Sequence, residues 1–323
     1  YNPMKKNTLQ LDKYDSERES LINEVIAGFE KPQKHLPCKL FYDKKGSALF
    51  DEICGLDEYY PTRTEVGIMK ENIDEICSFL GRSCLLVELG SGSSIKIRLL
   101  LENLRNPSGY VPIDISEEHL IESVKTLAAD YSGLRIMPVY ADYMQPFSLP
   151  TFDFPFSHTV FFYPGSTIGN FTPDSASRFL GRIAKHSDRG SGLLIGVDLV
   201  KDVKTLEDAY NDAKGVTAEF NLNILTRLNR EICTDFDVAK WKHKAFFNTR
   251  DSRIEMHLES VINQRVKVDG TSFRFRKDET ILTEYSYKYT LEGFQELISD
   301  YYSVERVWTD RDKKFSVQYL KIK

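Results

Sequence analysis

The apolar run Leu85-Leu86-Val87-Glu88-Leu89 leads into Gly90-Ser91-Gly92-Ser93-Ser94, and Ile95-Lys96-Ile97-Arg98-Leu99-Leu100-Leu101 follows with helical character. A buried strand, a glycine turn and a helix in that order mark the ligand-binding edge of a parallel α/β sheet. Gly90 and Gly92 omit the Cβ atoms that would hold a ligand off the backbone, and the helix N-terminus brings N–H groups beside them. A dinucleotide fingerprint asks for a third glycine where Ile95 stands, which disfavours a pyrophosphate guest. For this segment alone, a nicotinamide or flavin site and an ordinary tight βα turn stay open.

At 323 residues the chain is long for one core and is expected to form two domains. Hydrophobic residues at 41% and charged residues at 28% are ordinary globular values that need no disordered tail. A net charge of −5 argues against the clustered basic surface that a nucleic-acid partner needs. Cys38, Cys54, Cys77, Cys84 and Cys233 are odd in number and lack C-x-x-C spacing, so they read as small apolar fillers and not as a disulfide framework or zinc site. No His-Glu-x-x-His or aspartate cluster supplies metal ligands, and no metal is expected. No apolar run approaches the roughly 20 residues of a membrane helix, and the N-terminal region lacks a signal-like apolar stretch. A cytoplasmic protein, monomeric and without a membrane partner, is the expectation; Met4 is the expected start residue, with Tyr1-Asn2-Pro3 an added remnant.

Beyond the glycine turn the β-α alternation continues. Tyr110-Val111-Pro112-Ile113-Asp114 reads as a strand, Ser116 as the N-cap of a helix holding Leu120, Ile121, Val124, Leu127 and Ala128, and Leu134 to Tyr140 as the next strand. Thr159-Val160-Phe161-Phe162 and Leu193-Leu194-Ile195-Gly196-Val197 are further buried strands. From about Lys201 the pattern changes. One helix is expected through Leu206, Ala209, Tyr210 and Ala213 and another through Phe220, Ile224 and Leu228. Strands are expected over Arg253 to Val261 and Thr280 to Tyr289, with a hairpin turn at Gly270-Thr271. Thr290 can cap a helix through Leu291, Phe294, Leu297 and Ile298, after which Val304 to Trp308 and Phe315 to Ile322 close the sheet as a pair. No internal repeat is present.

The form Glu88-x-Gly90-x-Gly92 resembles the first motif of class I S-adenosylmethionine (SAM) methyltransferases, whose ligand carries a sulfonium cation and no phosphate. In such a sheet the ligand crosses the carboxyl ends of the strands. Asp114, at the end of the second strand, can accept the ribose hydroxyls, or it can serve the helix dipole behind it. Asp142 and the main chain of Tyr143 can read an adenine edge, or form a turn. Lys96 can reach a ligand carboxylate, or point into solvent.

Several segments together resemble the histidine-specific methyltransferases of ergothioneine biosynthesis, which convert L-histidine into its Nα-trimethyl betaine, hercynine. They are Phe41-Tyr42-Asp43 with Gly46-Ser47, Glu58-Tyr59-Tyr60-Pro61-Thr62-Arg63, Val87 to Gly92, Gly165-Ser166-Thr167-Ile168-Gly169-Asn170, Asp198-Leu199-Val200-Lys201-Asp202, Tyr210-Asn211-Asp212 with Gly215-Val216-Thr217, and Thr283-Glu284-Tyr285-Ser286. The resemblance implies that Gly90, Lys96, Asp114, Asp142 and Tyr143 hold SAM. It implies that Asn170 and Tyr210 hold the amino-acid end of the substrate, that Tyr59, Glu284 and Ser286 hold the imidazole, and that Tyr42 and the main chain at Gly165 lie at the amine. Glu284 can accept from one ring N–H, and Ser286, two residues on, can serve the other nitrogen. Taken singly, these residues also fit core aromatics, a turn and the solvent face of an edge strand. Phe162-Tyr163-Pro164 before Gly165 is bulkier than the glycine-rich form of this loop in the family, and Tyr143 stands where Phe is common.

The implied fold is α/β, a Rossmann-like class I methyltransferase sheet with an inserted α+β substrate-binding domain. Its expected bounds are about 65–198 with 289–323 for the SAM-binding domain and about 5–64 with 199–288 for the substrate domain, with the active site between them. The implied function is SAM-dependent trimethylation of the histidine amine, with only a small-molecule substrate as partner. An N-methyltransferase for a tryptophan-derived amino acid and a non-catalytic SAM-binding protein are the alternatives.

Overall fold

A computed structural model describes residues 18–92, 95–145, 147–185, 187–188 and 190–323. Ser93 and Ser94 of the glycine turn, and the expected start at Met4, lie outside the described residues. The chain divides into two compact units, one of residues 50–212, 247–254 and 285–323 and a smaller one of residues 1–49, 213–246 and 255–284. The first segment of the larger unit begins at Phe50 and ends at Asp212, and the helix Tyr60–Glu71 packs Ile68 and Met69 into its core.

The larger unit is built on a seven-stranded sheet. Strands β1 (Leu85–Leu89), β2 (Gly109–Asp114), β3 (Val139–Tyr140), β4 (Thr159–Tyr163) and β5 (Gly192–Asp198) are parallel neighbours in the order β5-β4-β1-β2-β3. Every residue of β1, β4 and β5 is buried, as expected of strands covered on both faces. Side chains alternate across the sheet. Leu85, Val87, Leu89, Phe161 and Tyr163 face one helical layer, while Leu86, Val160, Phe162 and Leu194 face the other. The chain runs from β1 to β2 on one side and later to β4 on the other, so the strand order reverses beside β1. That is where such sheets bind ligands.

Further along the chain come β6 (Trp241–Asn248), β7 (Arg253–Ser260), β8 (Gln264–Val268), β9 (Thr271–Phe275) and β10 (Thr280–Tyr287). β10-β7-β6 form a three-stranded sheet and β8-β9 a hairpin. The hairpin turn is Asp269-Gly270, one residue earlier than expected, with φ of 46° and 81°. Both central residues are left-handed, as a two-residue turn matching the strand twist requires. Thr290 caps the helix Leu291–Ile298, its hydroxyl accepting from the Gly293 N–H at 3.0 Å. The antiparallel pair β11 (Tyr302–Thr309) and β12 (Phe315–Ile322) then adds to β5 in the order β11-β12-β5.

Four further sequence expectations are corrected. The strand expected over Leu134 to Tyr140 shrinks to β3 and one isolated bridge between Tyr110 and Ile136, because Pro138 has no N–H to give a ladder. The helix expected through Ala213 ends at Asp208, short of the turn-forming Asn211 and Asp212 and of Gly215 with φ 75°. Ser116 occupies the N-cap but its side chain makes no capping bond; the Asp114 carboxylate accepts the Ser116 N–H instead. Cys233 is not a core filler, being exposed at a helix end with φ 55°. No helix of the described residues is long and apolar enough to cross a membrane.

Candidate active site

At the end of β1, Gly90 has φ 77°, and a Cβ there would stand 3.3 Å from the Tyr143 Oη. At Gly92 nothing lies within 4 Å of where a Cβ would be. The turn is therefore strained for any side chain at Gly90 and open at Gly92, a shape that admits an adenosyl group against bare backbone. The N–H groups of Gly90 and Ser91 donate to the Ile113 carbonyl at 2.8 and 3.3 Å and fix this turn to β2.

Asp114 ends β2, half-buried, with Oδ1 accepting from the Ser116 N–H at 2.8 Å. Burial pushes its carboxyl above the usual range, against the N–H of Ser116 and the nearby His119 imidazole, which favour the charge. His119 is itself held above its ordinary value by Asp51. Asp142 accepts the Met144 N–H at 3.0 Å through Oδ1, so one of its oxygens shapes the loop. The Tyr143 ring meets Tyr163 and Phe179 at 5.9 and 6.1 Å between centroids, and its carbonyl accepts from Arg182 at 2.9 Å.

Lys96 is not in open solvent. Its Nζ lies 2.5 Å from Glu65 Oε2, with the two side chains 12% and 1% exposed. The Glu65 oxygens also accept the Gly165 N–H at 3.0 and 2.9 Å. Gly165 has φ 77°, and a Cβ at Gly196 on β5 would stand 2.1 Å from Glu65 Oε1. Gly196 thus makes room for one carboxylate that, through Lys96 and the Gly165 N–H, ties the helix carrying Lys96 to the loop after β4. Glu65 was missed by sequence reasoning. Its one signal is an acidic residue on a helix turn facing Ile68 and Met69, which are buried.

A second buried network joins residues far apart in the sequence. The Tyr60 hydroxyl donates to both Asp198 oxygens at 2.9 and 2.7 Å, Lys201 Nζ lies 2.6 Å from Asp198 Oδ1, and Lys288 Nζ lies 2.8 Å from Oδ2. Lys288 also donates to Ser286 Oγ at 2.8 Å and to the Tyr210 Oη at 3.3 Å, and the Tyr210 hydroxyl bonds to Ser286 Oγ at 2.9 Å. Tyr59 packs edge-on against Tyr210 at 6.3 Å. A Cβ at Gly169, the neighbour of Asn170, would come within 3.5 Å of Ser286 Oγ. The structure therefore brings Tyr59, Tyr210 and Ser286 together and adds Lys288, which sequence reasoning did not single out.

The charges in this network are strongly coupled. Burial would raise the Asp198 carboxyl, but Lys288 and Lys201 reverse that and hold it below the usual range. Burial pulls Lys201 down to about 8 in spite of Asp198, with Lys288 adding to the fall. Burial opposes the Lys288 charge too, yet Asp198 more than compensates and keeps it above the ordinary lysine value.

Tyr42 and Glu284 belong to the smaller unit. Tyr42 follows the 3-10 turn Cys38–Phe41 and lies edge-on to Phe220 at 6.0 Å. Its neighbour Asp43 is pinned by the Gly46 N–H, Asn223 and Arg230 at 2.8, 2.8 and 2.7 Å, and that explains the Phe-Tyr-Asp segment with its following glycine. Glu284 is half-buried on β10, beside Thr283, whose hydroxyl donates to Asn221 Oδ1 at 2.8 Å and the Met256 carbonyl at 3.0 Å. Ser286 is buried, so the solvent-face reading of this segment does not apply to it. Among the described residues no group of three or more His, Cys, Asp or Glu is placed to hold a metal ion.

A glycine turn after β1, an acidic residue at the end of β2 and a sheet closed by an antiparallel pair fit the fold of α/β SAM-dependent methyltransferases. The profile of histidine-specific, SAM-dependent methyltransferases matches residues 21–322, and the chain belongs to that family. It is 39% identical over 305 residues to the histidine N-alpha-methyltransferase of Mycobacterium tuberculosis (strain CDC 1551 / Oshkosh), covering 92% of this chain and 94% of the relative. It is 40% identical over 295 residues to the protein of the same name from Mycolicibacterium smegmatis, covering 88% and 90%. It is also similar to ergothioneine biosynthesis protein 1 of Neurospora crassa, 31% identical over 268 residues, a match that covers 76% of this chain and 30% of the fungal protein.

Proposed function

We propose that this chain transfers methyl groups from SAM to the α-amine of L-histidine, three in succession, to give hercynine for ergothioneine biosynthesis. The observation that carries this reading is the near end-to-end similarity to two proteins named for that activity, at 39% and 40% identity. When bound, SAM supplies an electrophilic methyl group on a sulfonium. The chain's own residues supply placement, which for an in-line displacement is most of the catalysis. Gly90 and Gly92 let the donor approach the backbone, Asp114 accepts the ribose hydroxyls, Asp142 and the Tyr143 main chain read the adenine edge, and Lys96 holds the methionine carboxylate while Glu65 holds Lys96.

On the acceptor side, Asn170 and Tyr210 hold the amino-acid end, with the main chain at Gly165 beside the amine. Tyr59, Glu284 and Ser286 hold the imidazole. The amine must be neutral to attack: its lone pair forms the new N–C bond as the C–S bond breaks. At the first two transfers a proton then leaves the nitrogen, through Tyr42 or to a water. The third transfer leaves a quaternary cation that aromatic faces accommodate. We read the enzyme as a cytoplasmic monomer that uses no metal and takes small molecules alone; its net charge of −5 favours this over a nucleic-acid substrate.

Titration calorimetry in the presence of S-adenosylhomocysteine tests the substrate assignment. Histidine should bind at least tenfold more tightly than tryptophan or phenylalanine. Equal affinity for tryptophan, or no histidine binding, overturns it.

A further inference from the structure

Glu65 is a buried carboxylate with two unlike partners. Its side chain is 1% exposed and lies 2.5 Å from Lys96 Nζ, and both of its oxygens accept the Gly165 N–H, at 3.0 and 2.9 Å. A buried ion pair is weak evidence of stability by itself, because desolvation offsets most of the attraction. This one also requires a glycine inside β5, which weakens a strand, since a Cβ at Gly196 would meet Glu65 Oε1 at 2.1 Å. Its place in the fold is more telling than its energy. Lys96 Nζ lies 3.4 Å from where a Cβ of Gly165 would stand, so the group assigned to the SAM carboxylate and the residue assigned to the acceptor amine are neighbours. Glu65 holds both.

The way Gly165 is held decides what it can offer a ligand. Its N–H is used by Glu65, and the other end of the same peptide, the Pro164 carbonyl, accepts from Thr167 Oγ1 at 3.0 Å. Ser166 is left-handed like Gly165, with φ of 55° against 77°, and its Oγ accepts the Asp198 N–H at 2.9 Å. The peptide before Gly165 is thus fixed from both ends. With the N–H engaged, the main-chain group that Gly165 has left is its carbonyl, which can only accept. An acceptor suits an amine that still carries hydrogen.

We infer that Glu65 is a positioning residue for the acceptor amine: by engaging the Gly165 N–H it sets the loop so that the Gly165 carbonyl accepts an amine N–H and the nitrogen lone pair is left to face the methyl group. The inference rests on the proposed function, with the main chain at Gly165 beside the amine and Lys96 at the SAM carboxylate. Glu65 itself touches neither substrate. A neutral primary amine has two N–H groups, a monomethyl amine one and a dimethyl amine none. The carbonyl therefore orients the nitrogen in the first and second transfers and has nothing to hold in the third.

The test measures kcat/KM for histidine, Nα-methylhistidine and Nα,Nα-dimethylhistidine, each supplied as the starting acceptor. Variants are compared as ratios to wild type, so an effect on SAM through Lys96 falls on all three acceptors alike and cancels between them. Glu65→Leu leaves the Gly165 N–H without its acceptor, and should lower kcat/KM for histidine and Nα-methylhistidine by about tenfold more than for Nα,Nα-dimethylhistidine. Glu65→Gln keeps an oxygen for the Gly165 N–H while removing the charge that faces Lys96, and its losses for the three acceptors should agree within about twofold. Should Glu65→Leu fail to fold, Glu65→Leu/Lys96→Met removes both members of the ion pair and gives the same readout.

Equal losses for the three acceptors in Glu65→Leu or in the double variant, or losses in Glu65→Gln as uneven as those in Glu65→Leu, overturn the inference while the proposed function stands. Glu65 would then be a partner of Lys96 only. A wild-type protein that methylates none of the three acceptors is failure of the functional reading itself.

Discussion

The proposed donor side and the proposed acceptor side of the larger unit solve the same problem, holding polar side chains in place, by opposite means. On the donor side the carboxylates are fixed by their own neighbours: Asp114 by the N–H of Ser116 and Asp142 by the N–H of Met144, each two residues away. On the acceptor side Asp198 is fixed by Tyr60 and Lys288, and Tyr210 by Ser286, partners separated by 138 residues for Tyr60 and by 76 for Ser286. On the proposed donor side, loss of a residue should do little damage to the fold. The buried residues around Asp198 carry charges in a closed interior, so their loss should cost the fold.

Asp198→Ala should break this comparison most forcefully. It leaves Lys288 without its carboxylate and Tyr60 without its acceptor, and should destabilise the protein by about 3–5 kcal/mol, the cost of stranding a buried charge. Thermal unfolding reads the effect. A wild-type Tm would show that the network is not part of the stability of the unit.

Glu88 gives a second, smaller effect with a pH signature. Burial pushes its carboxyl from 4.5 up to about 8, against the Tyr110 hydroxyl and Lys96. The folded state holds this proton more tightly than the unfolded chain, so the contribution to stability is full below pH 4.5 and is lost as pH rises to about 8. Glu88→Gln should flatten that decline, by roughly 2–4 kcal/mol across the window. Parallel curves for wild type and variant would place the titration elsewhere.

Asp114→Ala should produce the smallest loss of stability and a clear loss of ligand. SAM binding should weaken by about 1.5–3 kcal/mol while Tm moves little. A fall in Tm as large as that of Asp198→Ala would erase the distinction between the two sides.

The same distinction decides what could be read from the sequence. The strand, glycine turn and helix around Gly90 are local, and so are the strand ends that carry Asp114 and Asp142; these were legible from residue order alone. β3 was overextended because a single residue, Pro138, outweighs the apolar run around it. Asp198 and Lys201 stand together in a segment that resembles the family, but nothing local says that Tyr60 and Lys288 complete them. Tyr287-Lys288-Tyr289 reads as strand with a polar residue, and burial of that lysine is decided only when β5 brings Asp198 beside it. Glu65 was hidden for the same reason, since its meaning depends on Lys96, Gly165 and Gly196, all distant in the chain.

The central claim is that this site accepts histidine and methylates its amine to completion. The direct measurement is mass spectrometry of reactions containing purified protein, SAM and each of the twenty common amino acids in turn. Histidine should yield a product carrying three added methyl groups on the α-nitrogen, with S-adenosylhomocysteine formed in proportion, and no other amino acid should yield more than a trace. Methylation of tryptophan in preference to histidine, or product methylated on the imidazole, would contradict the account.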